Sequence, residues 1–150
     1  MREKEYRFTE CVMYGYKGNV EKCAELAAEI DALREKGDVQ GQNYNTDINV
    51  HGGTSDPVAH HVEKIMKLEH KLKRLLQRVR AVDRLREDLT TGNVITITKP
   101  RNLLKILDDY SIAKATVSEF LRLTHWGRSA FYVRRRELVI LAGEYLRVTL

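Results

Sequence analysis

Six side chains near the C-terminus, Arg128, Ser129, Tyr132, Arg134, Arg135 and Arg136, have the chemistry that a nucleic-acid surface requires. Arginine can grip guanine through two parallel hydrogen bonds, serine and tyrosine can bond phosphates or base edges, and further arginines neutralise phosphates. A basic triplet alone is commonly just a solvated helix face. Here the triplet follows Thr116, Glu119, Trp126, Gly127 and Phe131, residue types that cap, turn and anchor helices. That ordered set, more than the charge, points to double-stranded DNA as the partner.

Other groupings carry no reaction. His60, His61 and His70 fall among acidic residues, but His61, Glu63 and His70 miss the spacing of a helical metal site, and no cysteine cluster completes one. Asp108 and Asp109 suit a helix end, and Glu119 suits a cap. Gly52-Gly53 lacks the context of a phosphate loop. Cys11 and Cys23, if on one helix, lie about 18 Å apart, whereas a disulfide needs Cα atoms within about 7 Å. No catalytic constellation, metal site or cofactor is expected.

The elements that must position the six side chains are three helices after Pro100. Leu103, Leu104, Leu107 and Tyr110 share one face of a first helix. Thr116-Val-Ser-Glu119 is a capping-box signature and starts a second helix, Val117 to about Leu123. Thr124-His-Trp-Gly127 is a turn, with Trp126 plugging the corner. A third helix runs from Arg128 towards Leu146, with Phe131, Leu138, Leu141, Ala142 and Tyr145 inward. Three helices with a short turn before the third describe a helix-turn-helix, whose last helix presents its early residues to the major groove.

Upstream, the periodicity is that of a coiled coil. Cys23 and Ile30, with Leu26 and Leu33, form an a/d stripe on a helix over 19–36, and Gly15 and Gly18 predict a break near Gly18. Residues 37–57 are rich in Gly, Asn, Asp and Thr and read as a flexible loop. Ser55 or Asp56 with Pro57 starts a long helix. Its seam is Val58, Ile65, Leu72 and Val79 with Leu68, Leu75, Val82 and Leu89, made impure by His61 and Arg86. The loop lets the two stripes pack antiparallel within the chain, and dimerisation through the same stripe competes. The lysines and arginines between Lys64 and Arg86 read first as solvated flanks, with salt bridges such as Glu63–Lys67, and contacts to DNA phosphates or RNA polymerase compete with that reading. VITIT, closed by Pro100, alternates like a strand but has no sheet to join, so it reads as a linker.

The expected fold is therefore all-α: an N-terminal antiparallel coiled-coil hairpin over 1–91, a linker over 92–100 and a helix-turn-helix domain over 101–150. The net charge of +5 suits an anionic partner without naming it. No apolar run reaches the roughly 20 residues that span a bilayer, and MREKEYRF is no signal region, so the expected location is the cytoplasm.

The stretch TVSEFLRLTHWGRSAFYVRRRELVILAGEYL resembles the C-terminal domain of phage and prophage late-gene transcriptional regulators of the ArpU and RinA group. Gly127-Arg-Ser-Ala-Phe-Tyr132 stands where that group carries a recognition helix of similar pattern, followed by Arg134 to Arg136. Gly127 replaces the usual Ser or Thr at the cap, Leu121 stands where Ala is common, and His125 where Gly often sits. The Tyr16-Lys17 helix, the polar loop and Asp56-Pro57-Val58 also resemble the group's layout. The resemblance implies binding to promoter DNA in a bacterial host cell and activation of late packaging or lysis genes. A single three-helix domain buries little and contacts one half-site, so a homo-oligomer, favoured as a dimer, is expected, with the coiled coil setting oligomeric state or partner contacts such as host RNA polymerase.

Two other classes compete. A small-terminase-like packaging subunit also joins a helix-turn-helix to coiled-coil helices, but as a ring and usually with the DNA-binding domain first. A pure interaction protein would dock its C-terminal helices on RNA polymerase without touching DNA.

Overall fold

A computed structural model describes residues 1–44 and 57–149. The described residues form six α-helices and one π-helical segment, and no strand occurs among them. The helices are α1 (Glu3–Tyr14), α2 (Tyr16–Tyr44), α3 (Pro57–Thr91), α4 (Pro100–Lys105), α5 (Val117–Thr124) and α6 (Arg128–Thr149), with the π-helical turns Ile106–Ile112 continuing α4. The expectations for Ser55, Asp56 and Gly52-Gly53 lie outside the described residues.

The break between the first two helices falls at Gly15, three residues before Gly18. The Gly15 N–H donates to the Cys11 carbonyl at 2.9 Å to close α1, and the Gly15 carbonyl accepts from Asn19 at 2.8 Å to open α2. Helix α2 also runs past Gly37 to Tyr44, so the first third of the expected loop is helical. A tertiary approach accounts for the glycine there: a Cβ on Gly37 would sit 2.4 Å from the His61 Nε2. Packing overrides the weak propensity of this stretch. At the other end of the long helix, Gly92 adopts φ +76 after the last turn of α3, a conformation that glycine takes without steric cost.

The chain divides into two compact units, Met1–Asn19 with Gln77–Leu150, and Val20–Leu76. This is not the division expected at 92–100. In the second unit Cys23, Leu26, Ile30 and Leu75 are buried, Arg34 pairs with Glu69, and burial raises the Cys23 thiol pKa. In the first unit Val82 and Leu89 of the expected seam, together with Ala81 and Leu85, join one core with Val12 and Met13 of α1 and the apolar faces of the last three helices. A heptad stripe does not specify its partner, and here the lower half of α3 serves the C-terminal helices. Arg86, an impurity in the seam, is accommodated by an ion pair with Asp108 at 2.9 Å.

Residues 92–99 are fastened to this unit as well. The Glu137 carboxylate on α6 accepts from the Ile97 N–H at 2.6 Å and the Thr98 N–H at 3.1 Å. Pro100 then occupies the first turn of α4, where its missing N–H costs nothing. The expected first helix begins as an α-helix and widens into π turns, which bury Ile106, Leu107, Tyr110, Ser111 and Ile112 together. Tyr110 becomes the hub of an aromatic cluster, edge-on to Tyr14 and Phe120 at 5.8 Å and to Phe131 at 5.1 Å. This cluster fixes α1, α5 and α6 to one another.

No helix among the described residues is long and apolar enough to cross a membrane.

Candidate nucleic-acid interface

Local chemistry sets the positions of α5 and α6. Thr116 caps α5 in extended conformation: its Oγ1 accepts from the Glu119 N–H at 3.2 Å, and the Glu119 carboxylate accepts from the Thr116 N–H at 3.4 Å. Both bonds satisfy donors that the first turn leaves free. At the other end the Thr124 hydroxyl donates to the Phe120 carbonyl at 2.8 Å, and its oxygen accepts from the Trp126 N–H at 3.4 Å. His125 turns the chain in the left-handed region, φ 59 and ψ 24, while its N–H closes α5 on the Leu121 carbonyl at 2.9 Å. Three residues, 125 to 127, thus redirect the chain into α6.

The corner is held by aromatic contacts. Trp126 lies edge-on to Phe120 at 5.4 Å, and Phe131 is fully buried one turn into α6. With Phe131 inward, the opposite face of the first turns of α6 is exposed. Ser129 and Arg136 lie on it, Arg128 and Tyr132 are exposed on its flanks, and the Tyr132 ring meets Phe131 at 5.3 Å while staying 46% exposed. The first turn of α6 holds no acidic residue, so the positive end of the helix dipole reinforces Arg128.

Two of the six expected site residues are placed elsewhere. Arg134 lies over the Trp126 ring at 4.5 Å, a cation–π contact that braces the turn. Arg135 points back to α1, where it pairs with Glu10, donates to the Tyr14 hydroxyl at 3.4 Å and covers the Tyr110 ring at 5.4 Å. Burial opposes its charge, but Tyr14, Tyr110 and Glu10 outweigh that and hold its pKa above the ordinary value. Arg135 is a strut between α1 and α6 and is not free for DNA. The physical reason is helical spacing, which turns successive members of a triplet to different sides.

The sequence reading overlooked two exposed residues beside this face. Val133, 69% exposed, follows Tyr132, and Arg122 lies exposed in the last turn of α5. The period of α6 would have found Val133, because it falls one turn after Ser129 on the side away from Phe131. Among the described residues no group of three His, Cys, Asp or Glu side chains is placed to hold a metal ion. Cys11 is exposed on α1 and Cys23 buried on α2, and both are free thiols.

No family model matches the chain, and neither the curated proteins nor the solved structures contain a match.

Proposed function

We propose that this chain is a sequence-specific DNA-binding transcriptional regulator rather than an enzyme, in which α5 and α6 form a helix-turn-helix and α6 is the recognition helix. The observation that carries this reading is the exposed cluster of Arg128, Ser129 and Tyr132 on the opening turns of a helix anchored by the buried Phe131, with Arg136 exposed one turn on. Cationic, hydroxyl and phenolic groups exposed together at a helix N-terminus suit base edges and phosphates in a major groove. The capped α5, the three-residue turn and the Trp126 corner support a rigid presentation of that face. Arg122 on α5 is suited to a flanking phosphate.

The contacts Arg34–Glu69 and Gly37–His61 support α2 and α3 as an antiparallel coiled-coil hairpin within the chain. In the regulator this hairpin is a partner-binding arm, with host RNA polymerase as its partner. The likeness of residues 116–146 to the ArpU and RinA group carries the further proposal that the targets are phage late-gene promoters in the bacterial cytoplasm.

The test is selection of DNA fragments bound at physiological salt, followed by affinity measurement. A specific protein binds its best fragment about 10³-fold or more above unrelated DNA. Equal binding of unrelated DNA would overturn the reading.

A further inference from the structure

The strongest unexplained surface of the first unit lies around the middle of α6. Ile95 and Ile97 are fully exposed, at 102% and 100%, although Glu137 holds the Ile97 and Thr98 amides of the same segment. Beside them Val133 is 69% exposed and Ile140 38%. Together with the half-buried Leu141 these side chains wall a groove of about 530 Å³. Large apolar side chains exposed to water across one continuous surface mark an interface.

The charges around the groove say what fits it. Arg136, Ile140 and Glu144 recur four residues apart and are all exposed, so they form one stripe along α6. The stripe reads cation, apolar, anion. Reversed end to end about Ile140 it becomes its own complement, and a two-fold interface demands such self-complementarity. Among the described residues neither Arg136 nor Glu144 has an ion pair, whereas Glu137 is already engaged by the Ile97 and Thr98 amides. The stripe of α2 that competed for dimerisation is taken up inside its own chain, since Cys23, Leu26 and Ile30 are buried.

We propose that a second copy of this chain docks antiparallel along α6, with Ile140 at the two-fold axis, Arg136 of each copy facing Glu144 of the other, and Ile95, Ile97 and Val133 completing the apolar contact. Arg136, at the inner end of the exposed face, then belongs to the dimer, and Arg128, Ser129 and Tyr132 remain for DNA. One consequence rests on the DNA-binding reading. Arg128 lies twelve residues from Ile140, about 18 Å along the helix at 1.5 Å per residue, so the two copies of Arg128 stand about 36 Å apart. Half-sites one turn of B-DNA apart are separated by about 34–36 Å.

The experiment is sedimentation velocity on the full chain without DNA, over a range of concentrations, so its outcome does not depend on DNA binding. Wild type should show a concentration-dependent dimer. Because the axis doubles every contact, Arg136→Glu brings two pairs of like charges together and should weaken the dimer about tenfold or more. The exchange Arg136→Glu with Glu144→Arg should restore it to within about threefold, which no loss of folding would do. Val62→Asp and Met66→Asp, on the exposed side of α3, should leave it intact. A wild-type monomer, a larger ring, a dimer indifferent to Arg136→Glu, or one abolished only by the α3 substitutions would each overturn the proposal.

Discussion

Replacing Glu10 by glutamine isolates the role of Arg135. The pair is largely covered, with 21% of the Arg135 side chain and 19% of Glu10 exposed. A hydrogen bond to a charged group contributes about 1.5–3 kcal/mol, and stranding a fully buried charge costs about 3–5 kcal/mol. In Glu10→Gln an amide oxygen can still accept, and Arg135 keeps the Tyr14 hydroxyl and the Tyr110 ring. The cost therefore falls near the lower figure, about 2 kcal/mol. With a urea dependence of about 2 kcal/mol/M, the unfolding midpoint should drop by about 1 M. The double variant Glu10→Leu with Arg135→Met strands no charge and should regain at least half of that loss, because apolar replacement of a buried pair is often neutral. A Glu10→Gln midpoint within about 0.2 M of wild type would refute the strut. So would an Arg135→Met variant of unchanged stability that has lost DNA affinity.

Three further outcomes follow from the same geometry. Thr116→Ala removes the oxygen that caps α5 and should cost about 1 kcal/mol in thermal or chemical unfolding. His125→Gly relieves the left-handed backbone at the turn and should raise stability by about 0.5–1 kcal/mol, as should Lys114→Gly at φ 55. Burial, and then the hydrogen bond to Asp88, push the Tyr145 pKa up from 10.0 to about 12. A pKa higher in the folded than in the unfolded chain gives stability that is present below pH 10 and lost as pH rises towards 12. The denaturation midpoint should fall across that window, and Tyr145→Phe should fall less steeply.

The parts of this fold that were legible in the sequence are those decided by neighbours along the chain. The bounds of α5 and α6 follow from Thr116 with Glu119, from the His125-Trp-Gly127 turn and from the inward Phe131, all within a few residues of one another. The start of α3 at Pro57 is equally local. What escaped depends on distant partners. Nothing near Arg135 marks it as different from Arg136; Glu10 lies 125 residues away. The heptads of α3 look alike throughout, yet Leu75 is buried in one unit and Val82 and Leu89 in the other. Helix α2 continues past Gly37 because His61 packs against it, and the widening at Ile106–Ile112 answers to the core around Tyr110. Ile95 and Ile97 read as linker residues in the sequence, since periodicity cannot tell an extended segment fastened to a distant helix from one that merely connects.

The central claim is that the opening turns of α6 read DNA. Its most direct test is the affinity of Arg128→Ala and Tyr132→Ala for the fragments selected by wild type and for unrelated DNA, with folding checked by circular dichroism. The account predicts that each substitution costs about 1–3 kcal/mol on the selected fragments and much less on unrelated DNA, so that discrimination collapses. Variants that fold and discriminate as wild type does would contradict it.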